Sequence, residues 1–201
     1  SGANPSLHVP DGGPYNQRLG YTALPAFTKL LNSASYTVAA QMRTSQRYQE
    51  LIAHGLYPIY HAKTSAGIRL ADRNGLPLYQ TTYPTHIFSN FKSVPPLLIN
   101  TLLYIENREL LRSKYATHNP SIEWGRFVVA LMGRAVQGIA AGFNAGGGST
   151  LATQIEKFRY SPGGQTTNST EKLRQIASAS FRAYLDGPDT TERRKQIVLD
   201  Y

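Results

Sequence analysis

The chain has 201 residues, 41% of them hydrophobic, enough for one well-buried domain and a smaller appendage. It carries 21 basic against 12 acidic residues, and the net charge of +9 points to an anionic partner: nucleic acid, anionic lipid or a phosphorylated substrate. It has no cysteine, which excludes disulfides, thiolate catalysis and cysteine zinc sites.

Residues 1–19 are rich in Gly, Pro and Asn and read as an extended arm. Tyr21 to about Leu56 has a helical pattern, with Pro25 suited to a first turn and His54-Gly55 to a stop. A β-hairpin is expected next. Gly67–Ala71 and Leu76–Gln80 flank Asp72-Arg73-Asn74-Gly75, and Asn-Gly tolerates the positive φ of a tight turn. Pro95-Pro96 opens a helix through Leu97, Leu102, Leu103 and Ile105 that runs into the charged segment Glu106–Leu111. Asn119-Pro120 opens another, to about Phe143, and a glycine-rich loop follows over 142–148. Ser149 is expected to cap a helix to Phe158, Thr170 one to Leu185, and Asp189 with Glu192 the last. No apolar run reaches the ~18 residues of a transmembrane helix, and no signal peptide is visible.

Chemistry concentrates late in the chain. Only Asp11, Glu50 and Asp72 precede Glu106, and nine acids lie from Glu106 onward. Gly147-Gly148-Ser149-Thr150 precedes a helix start, where backbone N–H groups and the helix dipole favour an anion. At ~100° per residue, Thr150, Gln154 and Lys157 share one face, and Leu151, Ile155 and Phe158 share the opposite one. The functional reading is a phosphate or pyrophosphate cradle; an ordinary capped amphipathic helix is the alternative. In the next helix Leu173, Ile176, Ala177, Phe181 and Tyr184 form the expected core face. Lys172, Gln175 and Arg182 lie off it. The five His residues show no paired metal-ligand spacing.

These residues resemble the peptidoglycan glycosyltransferases of family 51. Gly-Gly-Ser-Thr-Leu, Gln154 and Lys157 are similar to that family's second motif. There Ala152 and Thr153 stand in place of Thr and Gln, and Phe158 in place of Asn. Leu103–Arg108 resembles the first motif, with Glu106 present, Asn107 for the usual Asp and Leu110 for the usual Phe. The His-x-Gly of that motif is missing, and His118 is displaced. Glu171-Lys172-Leu173-Arg174-Gln175 resembles the Arg-Lys-x-x-Glu motif, with Gln175 where the second glutamate stands. Thr191–Tyr201 resembles the start of the fourth motif.

The resemblance implies a mainly α fold: a lysozyme-like helical head with a smaller membrane-contacting jaw, preceded by helices and a short β-hairpin. It divides the chain into an N-terminal arm and pre-domain over 1–66 and a glycosyltransferase domain over 67–201. The implied activity is inverting polymerisation of lipid II with release of undecaprenyl pyrophosphate. Glu106, expected to be partly desolvated where its helix ends, would be the base. Gly148, Ser149, Thr150, Gln154, Lys157, Lys172, Gln175 and Glu171 would bind substrate. A divalent cation accompanying the pyrophosphate is the one cofactor foreseen. The expected partners are lipid II, undecaprenyl pyrophosphate, an anionic membrane surface and other cell-wall synthesis proteins. The apolar stretch 127–139 is expected to touch the membrane. Nucleic acid is not expected, since no module interleaves aromatic with basic residues. The expected place is the extracytoplasmic face of a bacterial inner membrane. Ser1-Gly2-Ala3 reads as a remnant of expression cloning in place of an anchor, and the uncapped helical pattern at Tyr201 as the start of a longer native helix.

Two other readings stand beside this one. Gln175 favours a non-catalytic relative that binds lipid-linked glycan or a cell-wall partner, because an amide cannot hold a proton as a carboxylate does. A lysozyme-like hydrolase would need a second carboxylate facing Glu106 across a cleft.

Overall fold

The computed structural model describes residues 12–60, 65–83, 87–122 and 149–201. Gly148, the glycine loop before it, most of the helix expected from Asn119 and the stretch 127–139 lie outside the described residues. Chain contacts define two compact units. The first is Ser1–Ile87 with Phe158–Gly164; the second is Phe88–Lys157 with Gln165–Tyr201.

In the first unit, part of the expected arm is helical. Helix α1 (Pro14–Arg18) has proline in its first turn, where the missing N–H costs nothing. It follows Gly13 at φ 80°, a position only glycine fills easily: a Cβ there would lie 2.2 Å from the carbonyl oxygen of Arg159. Asn16 is wholly buried and ties this turn together, donating to the carbonyls of Gly12 (3.0 Å) and Arg159 and accepting from the Tyr60 hydroxyl at 2.6 Å. Tyr57 stacks on Tyr160 with centroids 4.6 Å apart, and Tyr21 meets Tyr60 edge to face. The long helix expected from Tyr21 to Leu56 is two: α2 (Leu24–Ser33) and α3 (Gln46–Ala53). Ser35 breaks it at φ 68°, and the residues from Tyr36 to Ser45 carry no helix, β-branched Thr37 and Val38 among them. Ser45 caps α3 by accepting from the Tyr48 N–H, and Gly55, at φ 101°, follows its end as expected.

The hairpin pairs β1 (Ala66–Ala71) with β2 (Pro77–Tyr83), antiparallel, with Ile68 opposite Thr81 and Leu70 opposite Tyr79. The Asp72 carboxylate closes the turn, accepting from the N–H groups of Asn74 and Leu76 at 2.8 Å each, while Gly75 sits at φ 83°.

The second unit holds α4 (Pro96–Glu106), α5 (Leu151–Tyr160, whose last three residues group with the first unit), α6 (Ser169–Ala183) and α7 (Thr191–Asp200). Its core joins Leu110, Leu151, Ala152, Ile155, Ala179, Ile197 and Val198, with Ile99, Leu102 and Leu103 of α4 packed against it. At ~100° per residue these three share a face with Glu106, so the carboxylate is carried on the inward side of α4 at its last turn. Helix α4 does not continue into Leu111. Asn107 stops it at φ −160°, and its side-chain oxygen accepts from the Glu109 N–H instead.

Three caps and one face differ from expectation. Thr150, not Ser149, caps α5, accepting the Thr153 N–H at 3.3 Å. Asn168, not Thr170, caps α6, accepting the Glu171 N–H at 2.8 Å. Asp189 accepts from Thr191, through its N–H and its hydroxyl, and Thr190, at the N-cap, bonds the Ala116 carbonyl. The expected apolar core face of α6 is outermost: Leu173, Phe181 and Tyr184 are exposed, and Glu171, Gln175, Ser178, Ala179 and Ala183 are buried. Polar side chains win the interior because each has a partner there. Gln175 pairs with the Thr166 hydroxyl at 3.0 Å, and Arg182 meets Glu156 of α5 at 2.7 Å. Phe158, expected on the packed side of α5, is likewise exposed.

Candidate active site

Helix α5 organises the site, because it presents two polar groups, Gln154 and Lys157, one turn apart. Its apolar side, Leu151 and Ile155, anchors it in the core, which leaves Gln154 and Lys157 half-buried at the edge. The Gln154 amide spans two groups. Its Nε2 donates to Oε2 of Glu106 at 3.0 Å, and its Oε1 accepts from the Tyr201 hydroxyl at 3.3 Å. Glu106 is half-buried, and among the described residues its Oε1 has no hydrogen-bond partner. The expected carboxylate and the expected amide therefore meet. Burial, and next the Glu106 carboxylate, push the Tyr201 phenol above its usual range, so it stays a donor at neutral pH.

One turn beyond Gln154, Lys157 lies close enough to Lys172 of α6 to act on its charge. Burial, and next the Lys157 ammonium, hold the Lys172 ammonium below its ordinary 10.5. Two neighbouring cations, one of them desolvated, favour an anion between them.

The remaining expected residues fall elsewhere. Ser149 is half-buried, with its hydroxyl 3.2 Å from that of Thr153. Thr150, expected to offer its hydroxyl to a phosphate, is wholly buried. That hydroxyl is spent on the cap and on the Ser121 carbonyl at 3.3 Å. Gln175 and Glu171 are turned inward. Gln175 is wholly buried on Thr166, and Glu171 accepts from the Thr167 N–H (2.7 Å) and hydroxyl (2.8 Å). Gly148 lies outside the described residues. Among the described residues no cluster of three or more His, Asp or Glu side chains could hold a metal ion.

Two features were missed. The Tyr201 hydroxyl could have been placed from its spacing, seven residues after Arg194 on the buried face of α7. The Glu156–Arg182 pair had no signal, since either residue reads as an ordinary surface charge.

A family model described as Transglycosylase matches residues 74–201, more than half of the chain. The chain belongs to the transglycosylase family. No curated protein and no solved structure gives a significant match. Membership makes the fold a mainly helical, lysozyme-like transglycosylase domain, in keeping with the described helices and their single small sheet. It also places the chain among the glycosyltransferases of cell-wall synthesis. Among the described residues, no helix of this transglycosylase is long and apolar enough to cross a membrane.

Proposed function

We propose that this transglycosylase polymerises lipid II at the extracytoplasmic face of a bacterial inner membrane, releasing undecaprenyl pyrophosphate. One observation carries the reading: through Gln154, α5 holds the Glu106 carboxylate one turn from the Lys157–Lys172 pair. A glycosyl transfer of this kind needs those two functions together. A base takes the proton of the acceptor 4-hydroxyl as its oxygen bonds to the donor's anomeric carbon. The bond from that carbon to the pyrophosphate oxygen breaks on the opposite face, and the leaving group keeps the electron pair. Glu106 is the base, with Oε1 as the receiving oxygen because Oε2 is engaged by Gln154. Lys157 and Lys172 stabilise the negative charge that gathers on the departing pyrophosphate. Attack opposite the leaving group inverts the anomeric centre.

A test is lipid II polymerisation by the membrane-tethered protein beside Glu106→Gln. The variant should lose about 10²–10⁴ in rate, the usual worth of a positioned base, while keeping its affinity for lipid II. Polymerisation at the wild-type rate by Glu106→Gln overturns the mechanism.

Gln175 supports a second reading, a relative that binds the lipid-linked glycan without turning it over. Where the family carries its second glutamate, this chain has a wholly buried amide held by Thr166. Glu171, one turn earlier, accepts from the Thr167 N–H and hydroxyl. Saturable lipid II binding with no polymer from the wild-type protein would decide for this second reading. The hydrolase reading gains nothing from Glu156, the one carboxylate of α5, which is buried against Arg182.

A further inference from the structure

Helix α2 is exposed at all ten of its positions. Isolated helices shorter than about 12–15 residues are marginal in water, so a helix of this length needs a surface to cover its apolar side. That side is well defined. At ~100° per residue Leu24, Phe27, Leu30 and Leu31 fall within an arc of about 120°, while Thr28, Lys29, Asn32 and Ser33 take the rest. The four apolar side chains keep 41%, 60%, 63% and 38% of their surface in water. The charge near them along the sequence has one sign. From Gly12 to Gln49 the chain carries Arg18, Lys29, Arg43 and Arg47 and no acid.

We infer that α2 is an interfacial helix that seats on an anionic lipid bilayer, with Phe27 and Leu31 in the acyl boundary and Lys29 toward the headgroups. A bilayer of this kind offers apolar depth and negative charge together, the two things this helix lacks. A second copy of the chain would bring the same +9 charge to the contact and repel it. The inference concerns the first unit alone and stands whether or not glycan is polymerised.

Vesicle flotation of the full chain tests it. Wild type should float with phosphatidylcholine vesicles containing phosphatidylglycerol and far less with phosphatidylcholine alone. Phe27→Asp/Leu31→Asp should cut the partition coefficient about tenfold or more, and Lys29→Glu should cut it on the anionic vesicles only. All three positions are exposed, so the variants should match wild type in circular dichroism and melting. The chain has no cysteine, so Phe27→Cys carries an environment-sensitive dye at one site, and its emission should shift to the blue on anionic vesicles. An unchanged partition for the double variant, or a dye that does not respond, overturns the proposal. So does lipid-free dimerisation that the double variant abolishes, which would assign the face to a second copy.

Discussion

The Gln154 side chain carries two bonds that require opposite ends of one amide, the N–H on Glu106 and the oxygen on Tyr201. Tyr201→Phe removes the bond that fixes which way the amide points. A neutral hydrogen bond is worth about 0.5–1.5 kcal/mol, so polymerisation should slow by up to roughly tenfold. The loss should appear in kcat with KM unchanged, because Tyr201 acts through Gln154 and Glu106 and not on substrate. At Lys172 the sign of the pH dependence is set by its lowered pKa. The unfolded chain binds this proton more tightly, so below the folded pKa the charged Lys172 weighs against folding at full strength. Between the folded pKa and the unfolded value of 10.5, stability rises with pH, and above it the penalty is gone. Lys172→Met should flatten that rise in urea titrations at alkaline pH. Inorganic pyrophosphate should raise the wild-type Tm through mass action, and Lys172→Met should abolish that shift. A variant that keeps both would separate Lys172 from the anion site.

At the scale of elements, Arg194 fastens α7 to the segment after α4. It is 5% exposed, and it donates to the carbonyls of Leu110 (2.7 Å), Tyr115 (2.7 Å) and His118 (2.5 Å) and to the Thr190 hydroxyl (2.8 Å). Burial lowers its pKa, yet guanidinium stays charged at any working pH. Arg194→Ala takes a charged donor from three carbonyls, of which those of Tyr115 and His118 keep a second donor, and should cost about 3–5 kcal/mol, read as a lowered urea midpoint; Arg194→Lys, with fewer donors, should fall between. These elements also show what sequence patterns reveal. The hairpin turn and the start of α4 were legible because Asp72, Gly75 and Pro96 act locally, through one φ angle or one side-chain bond. The inward face of α6 was not. Apolar periodicity counts Leu173, Phe181 and Tyr184, but it cannot see that Gln175 has Thr166 and Arg182 has Glu156 waiting inside. In the candidate site, the meeting of Glu106 with Gln154 agrees with the order of the motifs that carry them. The cap role of Thr150 and the nearness of Lys172 to Lys157 depend on how separate helices pack, which spacing along one helix does not contain.

For the whole molecule, the net charge of +9 sets the range over which anions are drawn in. Screening shortens that range from about 10 Å at 0.1 M salt to about 3 Å at 1 M. The Kd for inorganic pyrophosphate, measured by calorimetry, should therefore rise several-fold between these salts. In a Lys157→Met/Lys172→Met variant affinity should be weak throughout and its salt slope shallower. Equal slopes would mean that the general surface charge, and not the pair, holds the anion.

The lysine pair has a further consequence for turnover. A pyrophosphate joined to a sugar and a lipid is a diester; once the sugar leaves, it is a monoester with one more ionisable oxygen. In the proposed reaction, an anion seated between Lys157 and Lys172 would thus offset their repulsion more fully as product than as substrate. The same asymmetry that would lower the barrier to bond breaking would slow departure of the spent carrier lipid. This transglycosylase should idle on its own product: added undecaprenyl pyrophosphate would act as a competitive inhibitor binding more tightly than lipid II. Weakening one lysine would speed release even as it slows the chemical step.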